Sequence, residues 1–224
     1  YAGNRDDFEL GYNSSGQLTI TDANLADGDE GTDILLGIET LDFLDFDIDL
    51  TAIIAINGGS STSGDDLLVG DHTNNTVNGS GGNDLIHGGA ADDTLTGSTG
   101  DDVLIGSTGD DVLAGRSGAD KLIGGSGIDT ISYVGDTVGV SIDLALGTAS
   151  GGDAAGDTIS GIENVVGGSG NDTLTGDVLA NTLTGLAGDD TLDGGLGGND
   201  TLDGGEGSDT YNLRGDSLLD TVVD

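Results

Sequence analysis

The chain has 224 residues, 42 of them Asp or Glu against four Lys or Arg, for a formal net charge of −38. That balance argues against nucleic acid or an anionic membrane as a direct partner, and the chain holds no apolar run of about 18 residues that could cross a bilayer. Aromatics make up 3%, 45 residues are glycine and none is cysteine; such low hydrophobicity and high charge predict disorder in plain water, with no disulfide or thiolate site to offset it.

In chain order, residues 1–60 read as an N-terminal β cap. FELGY (Phe8 to Tyr12) and LTI (Leu18 to Ile20) alternate as strands around the turn signal Asn13 to Gly16, which predicts a hairpin. DILLGIETL (Asp33 to Leu41) has a counterpart in DTISGIENV (Asp157 to Val165). The two are expected to be copies of one cap, because an open end of a repeat array is an unpaired strand edge. Phe43, Phe46, Ile48 and Leu50 are expected to cover apolar surface in the first copy. The start at Tyr1, with neither Met nor a signal peptide, suggests a piece of a larger protein.

Residues 61–132 repeat every nine residues. Glycine recurs at Gly79, Gly88, Gly97, Gly106, Gly115 and Gly124, and five residues after each stands an acid: Asp84, Asp93, Asp102, Asp111, Asp120 and Asp129. Two residues further on comes one aliphatic, from Ile86 and Leu95 to Leu122 and Ile131, and the register runs back through Leu68 and Val77. A fixed period means that each unit is one layer of a stack. A three-residue strand such as DVL (Asp102 to Leu104) turns its aliphatic inward and its neighbours outward. The remaining six residues must turn the chain, which glycine permits through φ > 0.

Two units then make one coil, with coils about 4.8 Å apart. Asp66, Asp84, Asp102 and Asp120 line one edge; Asn75, Asp93, Asp111 and Asp129 line the other. Carboxylates stacked so closely repel unless a cation lies between them. Calcium suits, because it takes six to eight hard oxygen ligands, backbone carbonyls included, whereas magnesium demands a stricter octahedron. The turn glycines Gly64, Gly82, Gly100, Gly109, Gly118 and Gly127 are the expected carbonyl donors. Outward positions differ between the faces: Leu67, Val69, Leu85, Val103, Ile105 and Ile123 on odd units, but mostly Thr, Asn and Ser on even ones. An apolar outer face implies packing against something, and the expected cover is the first cap or the 133–166 segment.

This unit resembles the G-G-x-G-x-D-x-U-x nonapeptide of the RTX (repeat-in-toxin), or hemolysin-type, calcium-binding family. The resemblance implies an all-β fold, a parallel β-roll with two nonapeptides per coil and calcium ions in the turns. It also implies a secreted bacterial protein, exported through a type I secretion system and folded by calcium outside the cell.

Residues 133–160 break the period: VGVSIDL (Val138 to Leu144) alternates as a strand and Gly147 to Gly156 reads as a flexible turn. The register resumes at Glu163 and Val165, then carries Leu174, Leu183, Leu192, Leu202 and Tyr211. Its acid positions are Asp172, Asn181, Asp190, Asp200 and Asp209, with turn glycines Gly170 and Gly188. Leu218 to Asp224 reads as a strand. The predicted organisation is a cap over 1–60, a first roll over 61–132, an inter-roll cap over 133–166 and a second roll over 167–224. Asn75 and Asn181 replace Asp, and Thr73 and Ala91 replace a turn glycine, so those loops should bind calcium weakly or not at all. Pairing neighbouring loops gives about nine ions, which would bring the charge from −38 to about −20.

No catalytic residue is expected. His72 and His87 are the only histidines and read as surface residues, and no H-E-x-x-H, G-x-S-x-G or P-loop pattern occurs. Paired acids such as Asp101 and Asp102 point opposite ways in a strand. The chain is therefore expected to be a calcium-folded, non-catalytic module of a larger secreted polypeptide, with no nucleic-acid partner and no membrane insertion. The alternative is an accessory domain of an extracellular enzyme or adhesin that presents a partner-binding face. Acid is expected to act as calcium loss does, with unfolding below about pH 4.

Overall fold

A computed structural model of the chain describes residues 61–213 and 220–223 in full and, within residues 1–60, the backbone of six short strands. Phe8–Tyr12 and Leu18–Asp22 form the expected hairpin, antiparallel with Phe8 opposite Asp22 and Tyr12 opposite Leu18. Thr32–Ile34 adds a third strand, and Thr40–Phe43 pairs antiparallel with Phe46–Asp49. The side chains of Phe43, Phe46, Ile48 and Leu50 lie outside the described residues.

From Ile53–Ala55 onward the chain alternates between two sheets. One has eight strands, all parallel, from Thr76–Asn78 to Thr221–Val223. The other has eleven, from Ile53–Ala55 to Thr210–Asn212. Residues 18 apart are partners, as with Leu104 opposite Ile86 and Leu122, and Leu113 opposite Leu95 and Ile131. This is an all-β, parallel β-roll with two nonapeptides per coil. Many strands are longer than three residues: Val103–Thr108 runs past its inward Leu104 until Ser107 pairs with Gly89 and Gly125. The first residues of the next unit continue the ladder before the chain turns.

The core is a double column. Leu68, Ile86, Leu104, Leu122, Ile159, Leu174 and Leu192 descend one sheet; Val77, Leu95, Leu113, Ile131, Val165, Leu183 and Leu202 descend the other. All are buried, at most 7% exposed. At about 25 cal/mol per Å² of apolar area, one aliphatic per nine residues is a thin core for a chain this charged.

The two arrays are not separate rolls. Thr130–Ser132 pairs directly with Asn164–Val166, so the eight-stranded sheet runs through residues 133–163 without a break. In the other sheet, Lys121–Ser126 pairs with Thr158–Ser160, which reaches the second array through the antiparallel strands Thr148–Ser150 and Ser141–Asp143. The segment expected to be an inter-roll cap is therefore an insertion within one solenoid. Its second strand and a 3-10 turn at Gly152–Ala154 occupy the stretch read as a flexible turn. The two D-x-x-x-G-I-E copies also differ: Thr158–Ser160 and Asn164–Val166 are a coil of the roll, whereas Thr32–Ile34 and Thr40–Phe43 belong to small antiparallel sheets.

The apolar outer face is covered within the chain where it is oiliest. Leu67, Val69, Leu85 and Val103 point away from the core column yet are at most 5% exposed. Thr76, Asn78 and Thr94 on the opposite face stand in solvent.

Candidate metal centre

The repeat acids form two ladders along the edges of the roll. On one edge Asp66 N–H donates to Asp84 Oδ1, Asp84 N–H to Asp102 Oδ1 and Asp102 N–H to Asp120 Oδ1, at 2.8–2.9 Å. On the other, Asn75 N–H donates to Asp93, Asp93 to Asp111 and Asp111 to Asp129, at 2.7–2.9 Å. The second array repeats this with Asp172 N–H to Asp190, Asp190 N–H to Asp209 and Asn181 N–H to Asp200, at 2.7–3.0 Å. One carboxylate oxygen of each rung thus fixes the spacing of two coils.

The second oxygen is what the chain leaves unanswered. Oδ2 of Asp84, Asp93, Asp102, Asp111, Asp120, Asp129, Asp190 and Asp209 is buried without a hydrogen-bond partner. A charge buried without a partner is costly, and the carboxyls respond. Burial first, then the neighbouring aspartates, raises Asp84 and Asp102 to about 7 and Asp93, Asp120 and Asp129 to about 6. Asp111, Asp172 and Asp190 are raised for the same first reason. A hard divalent cation removes that cost, and calcium accepts such a donor set.

The periodic glycines answer to the same oxygens. A Cβ on Gly79, Gly88, Gly97, Gly106, Gly115 or Gly124 would collide with the carboxylate five residues ahead. None of these six has positive φ, so close approach, not turn conformation, excludes a side chain. Positive φ falls on the turn glycines Gly82, Gly100, Gly109, Gly118, Gly127 and Gly188, between 101° and 149°. It falls also on the residue after the periodic glycine, filled by Ser80, Ser98, Ser107, Arg116 or Leu186. The carbonyl of Gly82 abuts Gly100, that of Gly100 abuts Gly118 and that of Gly109 abuts Gly127. A line of backbone oxygens therefore follows each edge. Gly64 and Gly170 occupy the homologous turns without positive φ.

Among the described residues no three His, Cys, Asp or Glu side chains gather as a metal-binding group, so the donor set fits calcium only by mixing one carboxylate per loop with carbonyls. Not every predicted rung has a bare oxygen. Asp66 accepts the Thr62 N–H and hydroxyl, and Asp172 Oδ2 accepts the Gly168 N–H at 2.7 Å. Asn75 and Asn181 spend their amides on Asp71 and on the Glu163 carbonyl, consistent with their reading as weak loops.

Three features escaped the sequence reading. Asp157 is a rung, its Oδ1 accepting the Asp120 N–H at 2.8 Å; the spacing Asp157 to Ile159 matches Asp102 to Leu104 and was the available signal. Asp220 likewise accepts the Asp200 N–H. The first acid of each pair forms a ladder in the opposite direction, Asp101 N–H to Asn83 and Ala119 N–H to Asp101. Asp101 and Asp102 thus bind the coils on either side. His72 is exposed, as expected. His87 is half-buried, contacts Ser107 Oγ through Nε2 at 3.0 Å, and is held below its ordinary pKa by burial.

A parallel roll whose edges carry regularly spaced, undercompensated carboxylates is a cation-binding solenoid. The family described as RTX calcium-binding nonapeptide repeat (4 copies) matches residues 60–95, 96–131, 157–178, 166–197, 179–211 and 195–217. The chain belongs to that family. No curated protein matches it.

Proposed function

We propose that this chain is a non-catalytic module that calcium folds outside the cell, serving as the structural and secretion-folding part of a larger secreted bacterial protein. The observation that carries this reading is the set of eight buried Oδ2 atoms without a donor. At neutral pH they make the empty roll unfavourable, and a cation is the group that relieves them. Binding only to the folded state stabilises it by RT ln(1 + [L]/Kd). With Kd near 10⁻⁴ M and millimolar calcium, each ion contributes about 1.4 kcal/mol, and almost nothing at cytosolic levels. Several ions turn that difference into a switch between an unfolded exported chain and a folded secreted one. Passage through a type I secretion system, which requires an unfolded chain, fits the same switch. Among the described residues no helix is long and apolar enough to cross a membrane.

The alternative, an accessory domain of an extracellular enzyme or adhesin, loses its oiliest candidate surface, because Leu67, Leu85 and Val103 are already buried. Far-UV circular dichroism during a calcium titration, with magnesium as control, tests the proposal. The expected result is a cooperative coil-to-β transition in calcium alone. A chain fully folded after removal of calcium at pH 7.5 would refute it.

A further inference from the structure

Most rungs expose one buried oxygen to an ion, but Asp157 does not. Its Oδ1 accepts the Asp120 N–H, as Asp102 Oδ1 accepts that of Asp84, while its Oδ2 accepts the Tyr133 hydroxyl at 3.0 Å. Tyr133 is 1% exposed, sits in the core cluster and is held in its protonated form by burial and by Asp157. The neighbouring rungs are likewise satisfied by the chain. Asp172 Oδ2 takes the Gly168 N–H, and Asn181, an amide in place of a carboxylate, donates to the Glu163 carbonyl. Bare oxygens resume only at Asp190 on one side and at Asp120 and Asp129 on the other.

We propose that the coils around residues 157–181 form a seam built to hold without calcium, with the Tyr133 hydroxyl taking at Asp157 the oxygen that stays bare at rungs such as Asp102. The inserted 133–157 segment supplies that hydroxyl: residue 133 falls nine after Gly124, at the inward position the period gives to glycine, and the insertion puts a tyrosine there beside Asp157. The calcium array is consequently split into an N-terminal block from Asp84 to Asp129 and a C-terminal block containing Asp190 and Asp209. The inference rests on the calcium reading above and adds where that reading stops.

Native mass spectrometry of the calcium-loaded chain counts ions directly. Asp102→Asn is expected to lose at least one ion. Asp157→Asn is expected to keep the wild-type count, because its amide can retain both bonds, with the Tyr133 hydroxyl now accepting. Should Asp157→Asn not fold, Tyr133→Phe decides. It leaves the carboxylate charged and bare, so the calcium midpoint of the β transition should rise at least about threefold, with no ion lost. Loss of an ion in Asp157→Asn, or an unchanged midpoint in Tyr133→Phe, overturns the seam while leaving the calcium reading intact. A wild-type chain without ions overturns both.

Discussion

At the scale of single residues, the period of this chain is set by one collision. Asp102 Oδ1 is pinned by the Asp84 N–H at 2.8 Å, so Oδ2 cannot swing away from Gly97. Any Cβ at Gly97 must displace one or the other. Gly97→Ala is therefore expected to cost about 1–3 kcal/mol by overpacking alone, and to raise the calcium midpoint, although its φ suits alanine. Thermal melts at saturating calcium check this, and a cost below about 0.5 kcal/mol would sink the close-approach account. The φ > 0 expected of glycine in each turn falls on Gly100 and its counterparts, whereas the spacing alone does not say what holds Gly97. Periodicity reports that a position is constrained, not whether φ or a neighbouring atom constrains it.

At the scale of the strand, alternation was legible because a two-residue period has only two solutions. Leu104 lies at 0% exposure between Ile86 and Leu122, while Ile105 on the same strand points outward and is half-buried. Leu104→Ala should cost about 2–5 kcal/mol, a large-to-small change in a site that cannot collapse. Ile105→Ala should cost less than half as much in denaturant melts at saturating calcium; equal costs would contradict the inward and outward assignment. Strand length was less legible. The ladder continues through Gly106 to Thr108 because backbone pairing needs no side-chain signal. The junction was hidden for a related reason. Its strands Ser141–Asp143 and Thr148–Ser150 join a sheet by backbone bonds, so the sequence shows the broken period but not the unbroken sheet.

At the scale of the whole molecule, family and roll were readable from the nonapeptides, but the response to acid was not, because it depends on burial that no spacing reveals. Ordinary carboxylate pKa values place unfolding below about pH 4. Asp84 and Asp102 instead lie at about 7, and Asp93, Asp120 and Asp129 at about 6, in the calcium-free fold, against 3.8 as the ordinary value. Between those values the folded state holds more protons than the unfolded one, so calcium-free stability falls as pH rises. That stability is fully present below about pH 4 and is lost as pH passes through about 7. Protons and calcium are then alternative ways to neutralise the same oxygens, and each weakens binding of the other. The calcium-stripped chain should accordingly gain β structure between pH 7.5 and about pH 4.5, while the calcium midpoint of the loaded chain climbs over the same range. Circular dichroism in metal-free buffer across that range decides the matter. A stripped chain that stays coil at pH 4.5 would show that neutralising the rungs is not enough, and that the ion must also bind the turn carbonyls together.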